Sequence, residues 1–400
     1  MRSENPSRRI PYGQHFIDED DIAAIVAQLR SGSLTQGAAI NAFEAKVSDY
    51  VGARYAVAVT SGTAALHLAC LAGNLGRDEN LVTSANTFVA SANCGLYVGA
   101  KPNFADIDPS TLNLSPDRLE EKCRALGRVG AIVPVHFAGL ACDMKRIREI
   151  AKRYDALVIE DASHALGGAY EDGSRVGNCR YADMTVFSFH PVKQITTGEG
   201  GMVTTNDEAL YRDLLRLRSH GINKGNDPFQ HPEQAFTDGL VNRWYYEMQE
   251  VGFNCRLTEI QAALGMSQLA KLDRFLERRK DLVRRYDVAF AGEPRGIRAA
   301  QRHGRGSSAH HLYVVRAPFG NRGRITRAAY MQRLYDLGII TQVHYIPVPL
   351  QPVYRKLGCT MTELPETQRY YDECLSIPLY FHLANAEQDW VVETLISAME

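Results

Sequence analysis

Four short stretches of this 400-residue chain carry side chains whose types and spacing could do chemistry. The stretch FSFHPVKQITTGEGG (187–201) sets Lys193 in apolar surroundings and ends in Gly198, Gly200 and Gly201. A lysine titrates near pH 10.4 and is a poor nucleophile while protonated; burial favours the free amine, which can hold an aldehyde as a Schiff base. Ser188 lies five residues earlier, on a strand where Phe187 and Phe189 take the opposite face, so its hydroxyl is available to an anion. SGTAAL (61–66) follows the apolar run YAVAV and opens a helix. There Gly62 lets the backbone turn closely, and Gly62 and Thr63 offer free N–H groups to a phosphate. Asp161 ends the run ALVIED, where a carboxylate can keep a ring nitrogen protonated, with His164 within reach of the same ring. Phe88, in NTFVASAN, can stack on that ring.

Taken singly, each has a plain structural use: a solvated lysine on a hairpin, a helix cap, a turn cap, a core aromatic. Together they run in the order phosphate cradle, ring stacker, ring-nitrogen acid and amine, which is the set that pyridoxal phosphate requires. The chain has neither GxGxxG nor GxxxxGK[ST], so these residues do not describe a dinucleotide or nucleoside triphosphate site.

The elements that must position them alternate. Strands are expected at 55–59, 80–84, 101–107, 130–136, 156–161, 183–189 and 201–205. Helices are expected at 18–29, through TAALHLACLA, at 87–98, 115–126 and 144–154, and through 206–220 with Asn206 or Asp207 as cap. Short apolar strands alternating with helices predict an α/β domain with a mostly parallel central sheet flanked by helices. The breaker-rich GINKGNDPFQHPEQ (221–234) reads as a long loop of the kind that carries function. One long charged helix is expected over 258–287, and a smaller C-terminal α+β domain is built from strands at 310–316 and 339–345 around a helix near 325–337. The expected division is 1–255 for the large domain with its N-terminal arm, and 256–400 for the linking helix and the small domain.

Charge and composition exclude several classes. Lys and Arg number 45 against 46 Asp and Glu, which leaves no electrostatic footprint for nucleic acid or an anionic membrane. The N-terminus lacks an apolar signal region and no apolar run reaches eighteen residues, so a cytoplasmic location is expected. Eight scattered cysteines without a CxxC pair read as reduced, buried thiols, and no metal site is expected.

At the level of motifs the chain resembles the DegT/StrS family of sugar aminotransferases over nearly its whole length. IPYG, LTQG, SGTAALHLA, TFVASAN, DIDPSTLNL, EDASHALGG, FSFHPVK with TTGEGG, RSHGI, GFNCRLTEIQAALG, HLYVV and QVHYIPV carry the resemblance. It implies a fold-type I enzyme with pyridoxal 5'-phosphate as a Schiff base on Lys193. Gly62, Thr63 and Ser188 would serve the phosphate, Phe88 the ring face, Asp161 the ring nitrogen and His164 the ring hydroxyl. It further implies a homodimer with shared active sites, in which Asn254 reaches the partner's phosphate. Sugar-nucleotide contacts would come from Tyr12, from Gly32, Ser33, Leu34 and Thr35, and from Gln342, Val343, His344 and Tyr345. The HPVK, EDASHALG and QVHYIP versions resemble the pseudaminic acid branch of the family. That branch transfers an amino group from glutamate to C4 of UDP-2-acetamido-2,6-dideoxy-β-L-arabino-hexos-4-ulose. Pro349 stands where this family is expected to carry histidine, and Arg77 where it usually carries glycine. The alternatives are a related 4-aminotransferase, for a perosamine, another UDP-4-amino sugar or aminoarabinose, and a non-catalytic regulator on the same fold. A sugar dehydratase would carry histidine in place of Lys193.

Overall fold

The computed structural model describes residues 9–225, 227–301, 307–320 and 325–399. The first eight residues of the expected extended start, and Asn226 of the expected loop, lie outside them. Seven strands form the central sheet: β1 (Tyr55–Val59), β2 (Asn80–Ser84), β3 (Lys101–Ala105), β4 (Ala131–Val133), β5 (Leu157–Asp161), β6 (Met184–Ser188) and β7 (Gly201–Thr205). Their order across the sheet is β1-β7-β6-β5-β4-β2-β3. Strand β7 is antiparallel to both neighbours and the other pairings are parallel, so the sheet is mostly parallel as expected.

Helices α1 (Glu19–Arg30), α2 (Ala38–Val51), α3 (Gly62–Ala72), α4 (Ala90–Tyr97), α5 (Pro116–Leu126), α6 (Met144–Tyr154) and α7 (Glu208–Leu217) cover both faces. The strands alternate between two apolar layers. Val158 and Phe187 pack with Phe43 and Val47 of α2, while Ile159 and Val186 pack with Leu66 and Leu68 of α3. Each such side chain contributes roughly 1.5–3 kcal/mol when fully buried. Of the two candidate caps for α7, Asp207 is the one used: its carboxylate accepts the N–H groups of Ala209 and Leu210. Asn206 instead accepts the N–H of Arg54 and donates to the carbonyl of Asn178.

Two expectations are corrected. The long helix over 258–287 is two helices, Glu259–Leu269 and Leu272–Ala289, broken at Ala270 and Lys271. At the break Lys271 Nζ turns onto Asp18 (2.5 Å) and the fully buried Asp21 (2.8 Å), an ion pair with α1 that a continuous helix would have to supply from the same face. Residues 339–345 do not form a ladder strand. Gln342 alone exchanges both backbone hydrogen bonds with Ser376, and beyond it the N–H of Tyr345 is taken by the Asn86 side chain at 3.3 Å. Pro347 and Pro349 have no N–H to extend a ladder.

The C-terminal part has its own apolar core around a three-stranded antiparallel sheet, Arg298–Ala299, Tyr313–Arg316 and Cys374–Ile377. Buried Asp106, just past β3, joins it to the central sheet by accepting the N–H groups of Glu366 and Thr367 and the Thr367 hydroxyl, at 2.7–2.8 Å. The N-terminal arm lies along the same part, with Ile10 paired to Gly338 and Ile340 and the carbonyl of Tyr12 accepting the N–H of Leu379. No helix among the described residues is long and apolar enough to cross a membrane.

Candidate active site

The carboxyl ends of β1, β5 and β6 open into a cleft of about 600 Å³, the position at which open parallel sheets bind ligands. It brings together Tyr12, Gly62, Thr63, Phe88, Asp161, His164, Ser188, Lys193, Gln342, Val343, His344 and Tyr345. Asn254 and the stretch Gly32–Thr35 do not line it. Asn254 is exposed and bridged to Ser219. The carbonyl of Leu34 accepts the N–H of Glu259, whose carboxylate in turn caps the start of α2 through Gly37, Ala39 and Ile40.

At the base of α3, Ser61 caps the helix by accepting the N–H of Ala64 at 3.1 Å, and the N–H groups of the first turn have no helical acceptor. The cradle there depends on glycine. A Cβ at Gly201 would stand 2.4 Å from the Ser61 carbonyl oxygen, and one at Gly62 would stand 3.0 Å from Ser188 Cβ and 3.5 Å from Ser163 Oγ. The start of β7 therefore lies against the β1–α3 turn, and the Ser163 and Ser188 hydroxyls stand beside first-turn N–H groups that have no helical acceptor. That donor set fits a phosphate.

Asp161 is buried and oriented from two sides: Ser91 Oγ donates to Oδ2 at 2.6 Å and the Ser163 N–H donates to Oδ1 at 3.1 Å. Thr87 and Ser91 share a further hydrogen bond at 2.7 Å, so the motif that carries Phe88 also fixes the acid. Phe88 itself is 56% exposed at the mouth of the cleft, an aromatic face without a full set of neighbours. Lys193 sits in a turn whose N–H bonds the carbonyl of His190 at 2.9 Å. Burial brings its amine down to about 8, with Asp161 opposing the shift. Gln194 is buried and donates to the carbonyl of His164, which ties the lysine turn to β5.

The buried histidines of the cleft are held in the neutral form. Burial, reinforced by Lys193 and His344, holds His164 well below the usual imidazole range, and burial brings His344 to about 3. Nδ1 of His164 accepts the Ala138 N–H at 3.3 Å, so its proton is on Nε2, facing the Tyr345 hydroxyl at 3.1 Å. Burial, then Asp161, raises the Tyr345 hydroxyl far above the ordinary phenol range.

Sequence reasoning missed Ser91, Ser163 and His311. Ser91 follows Phe88 by three residues in the same motif, a helical spacing that could have revealed it; His311 precedes the strand in HLYVV, which gives its position but not its exposure to the cleft. Arg77 packs along Gly99 and Pro349 is buried in a short turn, Val348–Leu350.

A buried lysine, an acid oriented by Ser91 and Ser163, a glycine-dependent anion cradle and a free aromatic face fit pyridoxal phosphate. The sequence profile of the DegT/DnrJ/EryC1/StrS aminotransferases matches residues 15–396. The chain belongs to this family. It is 38% identical over 389 residues to the spore coat polysaccharide biosynthesis protein SpsC of Bacillus subtilis, covering 96% of each chain. It is 35% identical over 393 residues, 98% of each chain, to the UDP-4-amino-4,6-dideoxy-N-acetyl-beta-L-altrosamine transaminase of Campylobacter jejuni. The solved structure of Helicobacter pylori PseC, an aminotransferase involved in the biosynthesis of pseudoaminic acid, superposes with a TM-score of 0.87 at 29% identity, covering 98% of this chain and 99% of that one. The architecture is that of fold-type I, the protein is a DegT/StrS sugar aminotransferase, and pyridoxal phosphate is its cofactor.

Proposed function

We propose that this sugar aminotransferase moves an amino group from glutamate to C4 of a UDP-linked 4-keto-6-deoxy sugar. The substrate proposed is UDP-2-acetamido-2,6-dideoxy-β-L-arabino-hexos-4-ulose, and the product UDP-4-amino-4,6-dideoxy-N-acetyl-β-L-altrosamine. The likeness to the Campylobacter jejuni transaminase supports this sugar. The likeness to SpsC leaves the reaction class the same and the sugar to experiment.

The observation that carries the reading is Lys193, a basic amine with its pKa drawn to about 8, facing the same cleft as Asp161. In this reading Gly62, Thr63 and Ser188 hold the phosphate, Asp161 holds the proton on the ring nitrogen, His164 faces the ring hydroxyl and Phe88 covers the ring. Pyridoxal phosphate, when bound, supplies the carbonyl that takes the amino group and the electron sink that makes the neighbouring C–H acidic. Displaced by the donor, Lys193 Nζ removes the proton from the donor's Cα; in the second half-reaction it delivers a proton to C4 of the sugar. The free amine is the competent form for the first task, and near-neutral basicity suits both. The enzyme works as a homodimer in which Asn254, exposed and away from its own cleft, reaches the phosphate bound by the partner subunit.

Lys193→Ala tests the role of the lysine: turnover is expected to vanish while cofactor-free melting is unchanged, and substantial turnover would sink the assignment. A panel of UDP-, GDP- and dTDP-linked 4-ketosugars with glutamate tests the substrate, the UDP-linked compound being expected to give the highest kcat/KM.

A further inference from the structure

Four imidazoles line the cleft, and they differ in how they are held: that of His190 is exposed, and the other three are buried. His164 has Nδ1 committed to the Ala138 N–H and Nε2 facing the Tyr345 hydroxyl. His344 has Nδ1 at 2.8 Å from the Ser376 hydroxyl. The ring of His311, 96% buried, has no hydrogen-bond partner on either nitrogen among the described residues, and its Nδ1 is shut off from solvent. Buried polar atoms without partners are uncommon and call for an account.

The ring of His311 is not loosely placed. The backbone N–H of His311 donates to the Ala138 carbonyl at 2.8 Å, its backbone carbonyl accepts from Arg279 at 3.2 Å, and its imidazole lies against that of His164 with centroids 4.3 Å apart. It is kept neutral by burial, then by His164, Lys193, Arg279 and His344. Arg279 is itself buried and bonds only carbonyl oxygens, those of His310, His311 and Leu379. Among the described residues no carboxylate satisfies this corner, and no group decides which His311 nitrogen carries the proton.

An aminotransferase with two successive substrates has to accept a carboxylate-bearing donor and an uncharged sugar in one site. A neutral imidazole without a fixed tautomer can donate to a carboxylate oxygen in the first half-reaction and accept from a sugar hydroxyl in the second. We propose that His311 is a substrate-binding residue shared by both half-reactions, donating to the carboxylate of the amino-acid donor and accepting a hydroxyl of the ketosugar. This rests on the reading of the enzyme as a glutamate-dependent ketosugar aminotransferase. The buried Arg279 guanidinium beside the ring favours the carboxylate at the donor stage.

Two variants separate hydrogen bonding from stacking. His311→Phe keeps an aromatic face against His164 and loses both polar atoms; His311→Asn keeps a donor and an acceptor and loses the ring. Holoenzyme is titrated with L-glutamate and followed by the cofactor absorbance. The aminated form is then freed of glutamate and titrated with the UDP-linked 4-ketosugar in the same way. Pyridoxal phosphate affinity and melting temperature are measured alongside. His311→Phe is expected to raise both half-saturating concentrations by about 10-fold or more, with cofactor affinity unchanged, whereas His311→Asn stays within about 3-fold of the parent. If His311→Phe matches the parent in either titration, or if Asn fails where Phe succeeds, the ring serves stacking alone or a single substrate and the proposal is overturned. Parent holoenzyme whose absorbance does not respond to glutamate refutes the donor reading instead, which keeps the two failures apart.

Discussion

Glu160 and Asp161 are consecutive acids on β5, each buried and each near a histidine, yet they face opposite sides of the sheet and do different work. On the core side Glu160 Oε2 accepts hydrogen bonds from His136 Nε2 at 2.7 Å and from the Tyr170 hydroxyl at 2.6 Å, in surroundings with no opening. His136 Nδ1 accepts the Cys142 N–H, so every polar atom of that imidazole is spent inside the protein. On the cleft side Asp161 is steadied by Ser91 and Ser163, and its histidine neighbours keep no carboxylate. The same residue types make a closed structural unit on one face and an open chemical site on the other. What differs is access: Glu160, His136 and Tyr170 are sealed in the core, whereas Asp161 lines the cleft where a ligand can reach it.

Replacing either acid should break the comparison in opposite ways. Asp161→Asn is expected to lower kcat by about 10²–10³-fold while leaving urea unfolding almost unmoved, because the lost charge acts on the reacting system. Equal losses of stability and activity would show that Asp161 is structural. Glu160→Ala should do the reverse. It strips His136 and Tyr170 of their shared acceptor and costs about 3–5 kcal/mol in unfolding free energy; kcat of the remaining folded enzyme stays near that of the parent.

The smallest effect is a shift in pH dependence. Lys193 has its amine lowered to about 8, so the fraction of free amine falls about tenfold for each pH unit below that value. Capture of pyridoxal phosphate by the apoprotein should therefore quicken with rising pH and level off above about 8. Asp161 raises the lysine, so Asp161→Asn should move the inflection downward, whereas Glu160→Ala should leave it in place. Stopped-flow absorbance at a series of pH values measures both.

Much of the site was legible because its residues sit at the ends of strongly patterned elements. YAVAV and ALVIED are buried on both faces and end where the sheet opens, so Gly62 and Asp161 follow from periodicity and position. Ser188 alternates with Phe187 and Phe189, both fully buried, as a strand demands. Less was legible where the chain departs from regular pairing. The segment 339–345 has strand composition but a single two-way pair, and the helix over 258–287 has unbroken helical periodicity across a break where Lys271 pairs with acids from a distant part of the chain. Nothing in the sequence around Gln194 names its partner, a carbonyl 30 positions away.

The sequence by itself determined the alternating strands and helices, the order of cradle, ring stacker, acid and amine along the chain, and the family, because hydrophobic period and glycine placement are local constraints. Only the tertiary structure decided which acid meets Ser91, which buried imidazole is left without a partner and how far the lysine is drawn toward neutral basicity. Those depend on burial and on charges brought together from distant segments, and neither quantity exists until the chain is folded.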